Sequence, residues 1–345
     1  MKIALMSAWN TDSGVAIHAE PLGKAWLQMG HRLVVFSFTK EDFHGEGFTG
    51  EDEDFVIRCF GTDDKTKYLD PRPFLTLSYD IFVVEDLGML PKDPLAKIFN
   101  LIKKKAKTVH VVHENSLSDD PSFYQFDWDA VVYFDERQSF VRHIYDNSYL
   151  LPFPCFPLRE GNKKDARRKL GLPADRKIVL CFCQRGYSLF LPERNHELEG
   201  VIFLILSPPG LDVMERFSPD PDIIIKEEEV LTKERFDDYL FAADAIILHK
   251  FQSRRTAVVS STVFQILGAG CPILVPRGSD FFRPLRKEIL RYADSKELRA
   301  NLVEVLENGP RARESYEAAV KYVQKYSPDN IAKNYIELFE SLLEK

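Results

Sequence analysis

The strongest constraint on this chain is an alternation that runs through it twice. Short, almost continuously apolar segments alternate with longer amphipathic ones. In the first series the apolar segments are Lys2 to Ser7, Arg32 to Ser37, Phe55 to Phe60, Ile81 to Glu85, Thr108 to His113 and Ala130 to Phe134. Strands that are apolar on both faces belong inside a parallel sheet covered by helices. A turn at Asn10-Thr11-Asp12-Ser13-Gly14 leads into a helix that reaches Met29 and is closed by Gly30. Pro21 predicts a kink or a late start in that helix, because proline has no N–H to donate. A helix from Pro94 to Lys105 ends in Lys103-Lys104-Lys105, read as a solvated end where cations suit the helix dipole.

Three prolines in the seven residues Leu151 to Pro157 rule out a helix there and mark a stiff linker. The alternation then restarts. Strands are expected at Lys177 to Cys183, Val201 to Leu206, Ile223 to Lys226, Ala245 to His249 and Pro272 to Val275. Helices are expected at Lys233 to Ala243, Ser261 to Ala269, Lys296 to Glu307, Ala312 to Lys325 and Asp329 to Leu343. At 345 residues the chain is too long for one core. The expected fold is α/β, with two Rossmann-like doubly wound domains facing a central cleft. The first spans residues 1–153, the second 154–326, and residues 327–345 form a terminal helix.

Composition narrows the function classes. The net charge of −7 argues against nucleic acid, because a duplex binder carries a basic face. No apolar run approaches the roughly 18 residues of a membrane span. Met1 to Met6 reads as a first strand, not as a signal segment. The five cysteines are odd in number, and four stand in apolar runs, so buried reduced thiols and a cytoplasmic location are expected. Cys181-Phe182-Cys183 lacks the second pair that a metal motif needs.

Several segments resemble a known family. Asp12-Ser13-Gly14-Val15 follows the first strand, and its helix closes at Gly30-His31 before a Val-rich strand. Phe236 to Asp244 leads into Ala245-Ile246-Ile247-Leu248 as a helix, aspartate and apolar strand. Phe264 to Val275 contains a helix-Gly-x-Pro-strand step at Gly270-Cys271-Pro272, and Arg311 to Leu343 holds Tyr326-Ser327-Pro328 between two helices. Together these resemble the retaining family-four glycosyltransferases of the GT-B type. The resemblance implies transfer of a hexose from a nucleotide sugar, without a metal or another cofactor. It also implies that the last helix crosses back onto the first domain. The acceptor is left open among saccharides, lipids and small solutes.

Such a reaction builds negative charge on a leaving diphosphate, so cations and free N–H groups are needed there. Ser13, Gly14 and Val15 stand at a helix start, where glycine permits close approach. Arg254 and Arg255 offer bidentate grips, and Ser260, Ser261 and Thr262 stand where a helix begins. Arg185-Gly186 occupies the place of the family's Gly-Arg pair in reversed order, with Arg194 as a substitute for the partner lysine. These residues, with Gln265, form the expected donor site. His113 and Glu114 end a strand where the family places a histidine near the transferred sugar, so they are the expected catalytic pair. His110 is expected to share a face with His113, which opens a paired-histidine metal reading that lacks a third ligand. Glu85-Asp86 also ends a strand, either binding acceptor hydroxyls or capping a turn.

The family's pair of glutamates is replaced here by Ala257 and Gln265. An amide still accepts a hydrogen bond from a ribose, whereas alanine does neither. Two rival readings therefore stand beside the transferase. One is a catalytically degenerate GT-B protein that binds a nucleotide or a protein partner. The other is a nucleotide-sugar epimerase, which calls for a richer set of carboxylates and histidines.

Overall fold

The computed structural model describes residues 1–45, 47–182, 191–193, 195–210, 220–250 and 259–345. The chain divides into two compact units. One comprises Met1–Pro154, Arg254–Ser261 and Tyr326–Lys345; the other comprises Cys155–Ser253 and Thr262–Lys325.

The first unit is built on a seven-stranded parallel sheet. Its strands are β1 (Lys2–Met6), β2 (Arg32–Phe38), β3 (Val56–Phe60), β4 (Ile81–Glu85), β5 (Lys107–Val111), β6 (Ala130–Tyr133) and β7 (Ser148–Leu150). Their order is β3-β2-β1-β4-β5-β6-β7. The direction of winding therefore reverses between β1 and β4, and ligand crevices of such sheets open beyond the strand ends at that point. The strands are apolar for the reason read from the sequence: β4 is buried at every residue and must be covered on both faces.

Covering helices are α1 (Gly14–Gln28), α2 (Pro71–Thr76), α3 (Lys92–Lys103) and α4 (Phe140–Ile144). Helix α1 runs straight through Pro21, so the proline does not delay its start. The C-terminal helix, Pro328–Leu343, packs on α1 within this unit. Trp26 of α1 lies 5.8 Å from the Tyr335 ring and 5.6 Å from that of Phe339. All three rings are fully buried, and each contributes roughly 1.5–3 kcal/mol of burial.

The lysine run at the end of α3 corrects its sequence reading in part. Lys105 is not a free solvated cation. Its ammonium donates to the carbonyls of Phe74 at 2.6 Å, Leu75 at 3.2 Å and Leu77 at 2.7 Å, closing the open end of α2.

The second unit carries a six-stranded parallel sheet of β8 (Ile178–Phe182), β9 (Ile202–Ser207), β10 (Ile223–Glu227), β11 (Ala245–Ile247), β12 (Ile273–Pro276) and β13 (Leu290–Tyr292). Its order is β10-β9-β8-β11-β12-β13, the same reversal as in the first sheet. The described helices are α5 (Lys163–Leu170), α6 (Lys233–Ala242), α7 (Ser261–Ile266), α8 (Ser295–Leu306) and α9 (Pro310–Lys325). Strands β7 and β13 are absent from the sequence reading: like β11 they have three residues, but Ser148-Tyr149-Leu150 and Leu290-Arg291-Tyr292 lack its unbroken apolar run. The α7 segment ends at Ile266, and Leu267–Ala269 tightens into a 3₁₀ turn. A Cβ on Gly268 would stand 2.3 Å from the Pro157 carbonyl oxygen, so the proline-rich segment packs there only against glycine.

Three aspartates stand just before strands and brace the neighbouring strand. Asp80 accepts from the Lys2 N–H at 2.7 Å, Asp129 from that of Thr108 at 2.7 Å, and Asp244 from that of Ile178 at 2.8 Å. Asp244 also takes the Arg167 guanidinium at 2.7 Å and the Lys163 ammonium at 2.8 Å. These partners hold its carboxyl below the ordinary aspartate range despite burial. The helix-aspartate-strand step of the sequence is thus a structural brace. Among the described residues no helix is long and apolar enough to cross a membrane.

Candidate active site

The carboxyl ends of β4 and β5 gather titratable side chains beside the reversal of the first sheet. Glu85 is the last residue of β4 and is 1% exposed. Its Oε2 lies 3.0 Å from Nδ1 of His18, on α1, and 3.3 Å from Nε2 of His113, just past β5. His18 is wholly buried and His113 nearly so. An ionised carboxylate only accepts, so this geometry places protons on Nδ1 of His18 and Nε2 of His113. The second ring nitrogen of His113 is then an acceptor, the arrangement by which a carboxylate orients an imidazole base.

Burial dominates the electrostatics. It pulls His18 down to about 3 and His113 to about 4, the latter against the opposing effect of Glu85. Burial likewise raises Glu85, with the His113 bond pulling the other way. Both imidazoles are therefore neutral at neutral pH. Among the described residues, Glu85 Oε1 and His18 Nε2 are buried without a hydrogen-bond partner, and so is the Tyr335 hydroxyl. Rings wall the cluster: Phe134 at 4.7 Å, Phe153 at 5.1 Å and Tyr335 at 6.3 Å from the His18 ring.

A second carboxyl pair adjoins it. Asp86 sits in the left-handed region at φ 55°, ψ 65°, a strained conformation for a non-glycine residue. Burial, together with the charge of nearby Glu114, raises its carboxyl well above the usual aspartate range. Burial raises Glu114 as well. Gly88 donates its N–H to Glu114 Oε1 at 3.1 Å, and His44 Nδ1 lies 3.6 Å from Asp86 Oδ2. The backbone that carries His113 and Glu114 is itself held: buried Gln138 donates to the carbonyls of Val112 at 2.9 Å and Glu114 at 3.0 Å.

His110 corrects the sequence reading. It stands three residues before His113, an odd offset along a strand, so the two rings take opposite faces. His110 stacks on Trp128 at 5.2 Å, and neither of its ring nitrogens has a partner. The partners of His113 come instead from α1 and β4.

The other predicted residues are placed as follows. Ser13 caps α1, its Oγ accepting from the Ala16 N–H at 3.1 Å, and Val15 packs into the core. Gly14 opens α1, and a Cβ there would lie 3.2 Å from the Oγ of Ser261, which groups with the same unit. Ser260 is fully buried and its Oγ has no partner among the described residues; Thr262 is buried on α7. Gln265 is half-buried, and its backbone carbonyl accepts from Arg159 at 2.6 Å. Arg185, Gly186, Arg194, Arg254, Arg255 and Ala257 lie outside the described residues, as does Cys183.

Two sites were missed by sequence reasoning. His18 carries a usable signal: it interrupts the buried stripe Val15, Ala19, Leu22 of α1. His249, past β11 in the second sheet, has its Nδ1 2.7 Å from the Tyr292 hydroxyl, with the rings nearly parallel. No local pattern in the sequence pairs those two.

No protein-family profile matches the chain. Solved structures do match over its whole length. Sucrose-phosphate synthase from Thermosynechococcus elongatus superimposes with a TM-score of 0.66 at 14% identity, covering 100% of this chain and 99% of that one. Anabaena HepE in complex with UDP gives 0.68 at 11% identity, covering 99% and 100%. A glycosyltransferase from Rickettsia africae gives 0.68 at 12% identity, covering 100% and 99%. The fold is that of the GT-B glycosyltransferases. At these identities the likeness speaks for architecture, with two Rossmann-like halves in one chain.

Proposed function

We propose that this protein is a glycosyltransferase that moves a hexose from a nucleotide-sugar donor to an acceptor, with retention and without a metal at the diphosphate. One observation carries the reading: His113, oriented by a buried carboxylate, stands at the strand ends where a doubly wound sheet presents its ligands. In this reading residues 1–153 together with the terminal helix serve the acceptor and the sugar. His113 hydrogen-bonds the transferred sugar through its second ring nitrogen, and Glu114 with Asp86 receives acceptor hydroxyls. The second unit holds the nucleotide. Gln265 accepts from the ribose, and Arg185 neutralises the diphosphate. The solved HepE structures with UDP and with UDP-glucose support a nucleotide sugar as donor class. Buried thiols such as Cys59, raised by burial to about 12, suit the reducing cytoplasm.

A panel of UDP, GDP, ADP and their sugars tests this by thermal shift. A ligand at 100 times its Kd stabilises the fold by about 2.7 kcal/mol. A shift with one base supports the transferase, and no shift with any base rejects it. The second reading, a degenerate GT-B protein, is favoured by Ala257 and Gln265 in place of two glutamates. It predicts nucleotide binding with no release of nucleoside diphosphate from any sugar donor.

A further inference from the structure

The trio of His18, Glu85 and His113 has an unusual charge balance. Glu85 is buried, and among the described residues no lysine or arginine pairs with it; only the two imidazoles do. A buried carboxylate that lacks a cation is costly. One of its oxygens, Oε1, has no hydrogen-bond partner among the described residues. The three facing atoms, Nδ1 of His18, Oε2 of Glu85 and Nε2 of His113, all lie within 4.8 Å of one another. Two of their separations, 3.0 and 3.3 Å, are close to the roughly 3.3 Å between ligand atoms around a tetrahedral ion with bonds of about 2.0–2.1 Å.

We propose that His18, Glu85 and His113 form a binding site for a divalent transition-metal ion, with Zn²⁺ the ion that fits two imidazoles and a carboxylate. Three protein ligands leave a fourth position open, and His113 is the most exposed of the three. The protons balance without a co-reactant. The ion takes the lone pairs of Nδ1 of His18 and Nε2 of His113. The protons those atoms carry move to the opposite ring nitrogens, Nε2 of His18 and Nδ1 of His113. The unpartnered Oε1 of Glu85 becomes available as a second carboxylate ligand. The ion also turns the outer nitrogen of His113 from an acceptor into a donor, so metal and proton give the site opposite hydrogen-bonding character. This site goes beyond the transferase reading and does not rest on it, since the diphosphate is neutralised elsewhere.

The test uses the untagged full-length chain, stripped with a chelator and titrated with ZnCl₂ by calorimetry at neutral pH. One Zn²⁺ per chain is expected, with binding at least tenfold weaker in both Glu85→Gln and His18→Gln. Co²⁺ then reports the ligand type: visible bands without a thiolate charge-transfer band are expected, which separates this site from the cysteines. Melting curves of the metal-free variants show whether each is folded; if one is not, the other carries the test. No binding, equal affinity in a folded variant, or a thiolate band overturns the proposal. Nucleotide binding is measured separately by the thermal-shift panel, so failure of the metal site and failure of the transferase reading are told apart.

Discussion

The two sheets wind in the same order but spend their buried charges differently. In the second unit Asp244 lies before its strand, at the amino end of the sheet, and is matched by Arg167, Lys163 and the Ile178 N–H. In the first unit Glu85 lies at the carboxyl end of its strand and, among the described residues, is matched only by two neutral imidazoles. A buried charge with full compensation holds a fold together; one without it waits for something to bind. The first unit contains both kinds, since Asp80 and Asp129 brace its amino end just as Asp244 does in the second.

That contrast breaks most easily at Asp244. Replacing it with alanine leaves the buried Arg167 guanidinium unpaired, at a cost of about 3–5 kcal/mol. Chemical denaturation should show the midpoint falling, and an unchanged midpoint would erase the distinction between the two ends. By contrast, His113→Ala should slow donor turnover by roughly 10²–10⁴-fold while the melting temperature hardly moves. Parallel loss of stability would make His113 a structural residue. Glu85→Gln is the sharper companion, because it removes an uncompensated buried charge and keeps the shape. Its melting temperature should hold or rise while turnover falls, the trade expected of a functional site.

Two smaller effects follow from protonation and capping. Asp244 is depressed in the folded state, so its contribution is complete above the ordinary aspartate value of about 3.9 and is lost as pH falls through the lower folded value. Melting temperatures recorded from about pH 5 to pH 2 should fall more steeply for the native chain than for Asp244→Asn. Lys105→Met removes the cap on α2 and should cost about 1 kcal/mol, read by the same denaturation experiment.

The sequence made the architecture legible because the evidence for it is repeated. Each long strand states its burial on both faces, and the two series restate one another. The three-residue strands β7 and β13 were not legible, since pairing with a neighbour defines them more than their own residues do. The site was half legible. His113, Glu114, Glu85 and Asp86 could be named, because residues at strand ends are where such sheets bind. That His113 faces Glu85 and His18 could not be read, because the contact joins a helix and two strands across 28 and 67 residues of chain. His110 shows the same limit: a histidine inside an apolar strand looks like a ligand until its ring is found against Trp128. Ser13 carries a second lesson, since a helix cap and a phosphate cradle ask for the same residue at the same place.

The most direct test of the account is release of nucleoside diphosphate from a panel of UDP-, ADP- and GDP-sugars, measured for the native chain and for His113→Ala. The account predicts release from one donor type, slowed at least about a hundredfold in the variant, with the nucleotide's Kd unchanged. Equal rates in both proteins, or a native chain that binds no nucleotide at all, would contradict it.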